Sequence, residues 1–92
     1  MTDKDKNLLE LAARAAGFPA GWVTQGWNPL ANNGDALWLV VKLGLTVVVE
    51  SDMVFCRNQR SDKAFRESGR DLYAATRRAI VRAAADVGKV MK

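Results

Sequence analysis

The stretch that most constrains the fold is the amphipathic C-terminal segment, residues 70–91. Leu72, Tyr73, Thr76, Ala79, Ile80, Ala83, Ala84, Val87, Val90 and Met91 fall in one continuous arc when wound at helical pitch. That arc predicts one long helix with a flat, alanine-rich face that can approach a sheet closely. A helix with such a stripe needs a second layer to bury it, and the rest of the chain must supply that layer.

The first helix is clearly punctuated. Thr2 can cap it, with Asp5 three residues on, and Asp3 and Asp5 suit the positive end of its dipole. Leu8, Leu11, Ala12, Ala15 and Ala16 form its stripe, Gly17 stops it and Pro19 follows. The helix is predicted over 3–16. Residues 21–25 suit a short strand, and residues 27–35, rich in Asn, Gly and Pro, suit a turn ending in a helix cap at Asn33 or Asp35. A second helix is predicted over 35–43, closed by Gly44. Lys42 is its only charge after Asp35, so it is apolar on nearly every side and needs cover on two. Trp38 and Leu39 are its expected contacts with a second copy of the chain.

Residues 45–57 read as a hairpin turning at Ser51-Asp52. In that register Val47, Val49, Val54 and Cys56 share an apolar face, while Thr46, Val48, Glu50, Met53, Phe55 and Arg57 share a mixed one. Residues 58–69 read as a basic surface loop. The expected fold is therefore α+β: one small domain over 1–92, element order α-β-α-β-β-α, with a three-stranded, mainly antiparallel sheet covered by helices.

Histidine is absent and Cys56 is the only cysteine. Nucleophile–histidine catalysis and His/Cys zinc sites are thereby excluded, and no internal disulfide can form. Asp35, Glu50 and Asp52 could serve as paired carboxylates but read more simply as a helix cap and a hairpin tip. Cys56, at an apolar strand position, reads as a core residue. No phosphate-binding glycine loop occurs. The chain is expected not to be an enzyme and to need neither metal nor cofactor. A lone cysteine, the absence of a membrane-length apolar run and the Asp3-Lys4-Asp5-Lys6 start suggest a cytosolic protein without a signal peptide.

Charge is unevenly placed. Residues 1–50 carry four basic and five acidic side chains, whereas residues 51–92 carry ten basic and five acidic. The positive field of the C-terminal half suits an acidic protein surface or a nucleic acid. Its candidate partner-binding residues are Arg57, Arg60, Lys63, Arg66, Arg70, Arg78, Arg82 and Lys89, with Phe55 and Phe65 among them. The blander alternative is a solvated helix face, with Arg82 and Asp86 paired one turn apart. Trp27, in the Asn- and Gly-rich connection, is the expected aromatic anchor for a partner.

Three stretches, LLELAARAAG (8–17), WNPLANNGDALWLVVKLGL (27–45) and YAATRRAIVRAAADVGK (73–89), resemble the phage ABA sandwich domain family of small phage and prophage proteins. More distantly they resemble the NinX proteins of lambdoid phages. Asn28-Pro29 followed by Gly34-Asp35-Ala36-Leu37 is the most specific part. The resemblance implies helix/sheet/helix layers and a phage origin, but no catalytic residues. Where many family members start the last helix with an acidic residue or Asp-Pro, this chain has Arg70-Asp71-Leu72. Together these readings predict an accessory protein that binds a host protein complex and inhibits an anti-phage defence system such as CRISPR–Cas. The alternative is direct nucleic-acid binding in phage replication or gene expression.

Overall fold

The computed structural model describes residues 2–18, 26–59 and 63–90. The fold is α+β. Helix α1 (Asp3–Ala16) and helix α2 (Asn33–Leu43) are followed by strands β1 (Leu45–Val49), β2 (Met53–Asn58) and β3 (Ala64–Ser68), then by helix α3 (Leu72–Val90). The three strands form one antiparallel sheet in the order β1-β2-β3. The third strand therefore comes from the segment expected to be a basic loop. The strand expected over 21–25 lies outside the described residues.

Local signals account for most element ends. Thr2 Oγ1 accepts from the Asp5 amide at 3.1 Å, and Gly17 takes the left-handed conformation (φ 84°) that ends α1. Gly44 does the same for α2 at φ 64°. The α2 cap is Asn32, one residue before the expected pair; its Oδ1 accepts from the Asp35 amide at 2.9 Å. Asp71 caps α3, with Oδ1 accepting from the amides of Tyr73 (3.0 Å) and Ala74 (3.2 Å).

The hairpin forms in the expected register. Val47 lies opposite Cys56 and Val49 opposite Val54, and the Glu50 amide donates to the Met53 carbonyl at 2.8 Å across the Ser51-Asp52 turn. β3 continues the alternation: Phe65 pairs with Cys56 and Glu67 with Val54, on the inner face. Thr46, Val48, Met53, Phe55, Arg57, Ala64, Arg66 and Ser68 form the outer face.

The layers are stacked α1, then α3, then sheet, in place of the helix/sheet/helix order that the family resemblance implies. α3 makes this possible by packing against α1 on one side and the sheet on another. Arg78 and Gly88 meet α1, while Ile80 and Arg82 meet the strands. Burial consequently runs beyond the predicted arc to Val81, Ala75 and Ala85, while Tyr73 and Val90 remain exposed. The shared core includes Leu9, Ala12, Leu39, Val54, Cys56 and Ala83. Cys56 is fully buried, and loss of hydration pushes its thiol up to about 12, so the reactive thiolate is strongly disfavoured. Among the described residues, no helix is long and apolar enough to cross a membrane, and no element covers the outer face of the sheet.

Candidate functional site

The predicted basic set divides into residues that hold the fold and residues that are free to meet a partner. Arg78 reaches from α3 to Asp5 of α1 at 2.8 Å. Arg82 bonds the Glu67 carboxylate and the Arg66 carbonyl, and its guanidinium lies 5.0 Å from the centre of the Phe65 ring. This pairing replaces the Arg82–Asp86 pair expected along the helix; Asp86 instead meets Lys63 at 3.5 Å. Arg78 and Arg82 therefore join elements of the domain and do not form a free basic stripe. Arg57, Arg66, Arg70 and Lys89 are exposed. Arg60 lies outside the described residues.

The aromatic predictions divide similarly. Trp27 is buried, at 9% exposure, with its ring edge-on to Phe18 at 5.2 Å. It is a core residue and not the projecting anchor expected from its loop position. Trp38 stacks on the other side of this cluster, 5.0 Å from Phe18, and remains part-exposed. Leu39 is fully buried and cannot be a contact between copies. The outward residues of α2 are Leu37 (62% exposed), Trp38 and Val41 (76%).

The Asn28-Pro29…Asp35 motif proves to be structural. Asn28 donates its amide to Asp35 Oδ2 at 2.9 Å, while its own Oδ1 accepts from the Leu30 amide at 3.1 Å. Pro29 is fully buried. Sequence reasoning missed the group that anchors this turn. Arg77, from α3, donates to the Leu30 carbonyl at 2.8 Å and to Asn33 Oδ1 at 2.7 Å. The loop thus closes onto α3 through a single planar fork. Arg77→Met should lower unfolding stability by roughly 1–3 kcal/mol, the usual effect of removing bonds to a charged donor. Arg77→Lys should restore less than half, because an ammonium cannot reproduce the fork. Urea denaturation checks both, and an unchanged midpoint in the Met variant would show that Asn28 and Asp35 hold the turn alone.

Two surfaces remain unaccounted for by the fold. The first is a groove of about 590 Å³ between α2, the start of α3 and edge strand β1. Leu37, Val40, Val47, Val49, Tyr73 and Ile80 contribute to its walls, and Tyr73 is 71% exposed. Two of the polar side chains there are engaged within the chain. Thr76 donates to the Leu72 carbonyl at 2.6 Å, and Arg77 is bound as described. The outward side of α2 thus presents Leu37, and not Leu39, to this groove.

The second surface is the outer sheet face. Across one rung it presents Val48, Phe55 and Arg66; across the next, Thr46, Arg57 and Ala64. Among the described residues, neither Arg57 nor Arg66 has an ion-pair partner. No cluster of His, Cys, Asp and Glu among the described residues could hold a metal ion. No protein-family model, curated protein or solved structure matches the chain.

Proposed function

We propose that the chain is a phage or prophage accessory protein that binds a host protein, and that this partner belongs to an anti-phage defence complex such as a CRISPR–Cas assembly. The apolar groove carries the binding part of this reading. Leu37, Val49 and Tyr73 are large side chains left in water around a concave wall. Thr76 and Arg77 already donate within the chain, and most of the remaining wall is aliphatic or aromatic. The occupant whose chemistry matches is an apolar helix face of another protein, set into the groove at spaced positions. Arg57, Arg66, Arg70 and Lys89 supply a positive field that favours an acidic partner during approach. The phage origin rests on the sequence resemblance. The inhibitor role rests on analogy with other small phage proteins that act by binding.

The test is a plating assay in bacterial strains with an active defence system, CRISPR–Cas strains included. Expression of the chain should restore phage plating. Leu37→Lys combined with Tyr73→Lys should abolish that rescue while the circular dichroism spectrum stays unchanged. Rescue that survives both substitutions removes the groove from the account, and no rescue in any strain overturns the anti-defence role. Solution mass adds a second readout. A dimer that the double substitution converts to monomer would assign the groove to a second copy and overturn the host-protein reading.

A further inference from the structure

The sheet sorts its charges by face. Glu67, the only acidic residue within the three strands, points inward and is neutralised by Arg82. Both strand arginines, Arg57 and Arg66, point outward, on a face whose strand positions carry no carboxylate. Phe55 lies between them on the central strand. Arg66 is its direct neighbour on β3, and Arg57 is the next outward residue on β2. The two arginines are diagonal neighbours, separated by roughly 7–8 Å in an antiparallel sheet. Like charges this close repel weakly, and an anion lying across them removes that cost. The acidic Glu50 and Asp52 sit at the β1–β2 turn, at the end of β2 away from Arg57. The face therefore has a positive end, with the half-buried ring of Phe55 beside its two arginines.

We propose that this outer face binds single-stranded nucleic acid. A base stacks on Phe55, and the flanking phosphates meet Arg57 and Arg66. The chemistry is that of flat single-strand platforms, in which ring stacking tolerates any base and guanidinium groups follow the backbone. Duplex fits poorly, because its bases are already stacked and cannot reach a ring on a sheet. Phe65, the other aromatic in the basic segment, takes no part: it faces inward beneath Arg82. The surface shares no lining residue with the apolar groove, so Phe55→Leu tests this face alone, whereas Arg57 and Arg66 also belong to the field that favours an acidic partner.

The test is fluorescence anisotropy of the full chain with labelled oligo-dT and oligo-U of about twenty nucleotides, long enough to cover one small binding face. Binding at 50 mM salt should weaken steeply towards 200 mM. Phe55→Leu keeps the apolar bulk but loses the flat ring, and should weaken binding about 5- to 150-fold. Phe55→Trp should retain it. Arg57→Gln with Arg66→Gln should reduce the slope of log affinity against log salt by about 1.4, about 0.7 for each phosphate contact on a single strand. The proposal is overturned by no binding at 50 mM salt, by an unchanged affinity in Phe55→Leu, or by equal affinity for a duplex of the same length. Binding of poly-glutamate as strong as that of the oligonucleotides, and unaffected by Phe55→Leu, would assign the face to an acidic protein instead.

Discussion

Replacing Gly88 with alanine is expected to destabilise the protein strongly, although helix propensity predicts the opposite. In an isolated helix this exchange is favourable by about 1 kcal/mol. Here α3 meets α1 with no room for a methyl group. A Cβ at position 88 would lie 2.8 Å from the Leu11 carbonyl carbon, and closer still to the carbonyl oxygen. Backbone cannot rotate away as a side chain can, so α1 and α3 must separate. Separation opens the alanine-lined contact formed by Ala12, Ala16, Ala84 and their neighbours. Overpacking of this kind costs typically about 1–3 kcal/mol and occasionally more, and we expect a net loss of about 3 kcal/mol. A domain this small has little margin, so the midpoint of thermal unfolding should fall by roughly 10–25 °C. Thermal and urea denaturation measure it, with Lys89→Ala as an exposed neighbour expected to change little. A Gly88→Ala variant more stable than the parent would refute the close approach.

The second large effect is expected at Leu39. Its side chain is fully buried between α2 and the rest of the core. Leu39→Ala should lose about 2–5 kcal/mol, combining the lost transfer energy with the cavity left behind. Val41→Ala, on the outer side of the same helix, should stay within about 0.5 kcal/mol. The pair reads out the orientation of α2 directly. Equal losses at both positions would mean that α2 is covered on its outer side as well, for example by a second copy of the chain.

This helix shows where sequence reasoning stops. Its start and end follow from local chemistry: the Asn32 cap and the left-handed Gly44 need no information from outside the segment. Its inner side does not. Ala-Leu-Trp-Leu-Val-Val is apolar all round, so periodicity cannot choose between Leu37 and Leu39. The core makes that choice, burying Leu39 and leaving Leu37 on the groove. Trp27 shows the same limit, since a loop position gives no hint that Phe18 will hold it in the core.

β3 was hidden for a different reason. Ala-Phe-Arg-Glu-Ser has one strongly apolar residue, so it carries almost no strand signal of its own. It is a strand because β2 offers an unpaired edge and because Arg82, from α3, binds Glu67 and covers Phe65. The same long-range contacts decided which arginines are free. Arg77, Arg78 and Arg82 lie on two successive turns of one helix and look alike in sequence. Each is taken up by a different element: the turn at Leu30, α1 and β3.

By itself, then, the sequence determined the Thr2 cap, the glycine ends of α1 and α2, the hairpin register and the α+β class. These depend on hydrogen bonds and side-chain periodicity spanning a few residues. The tertiary structure alone decided the third strand, the stacking of α1 on α3 on the sheet, and the division of the basic residues between fold and surface. Those depend on which distant groups meet, and steric room and opposite charge settle that only once the layers are packed.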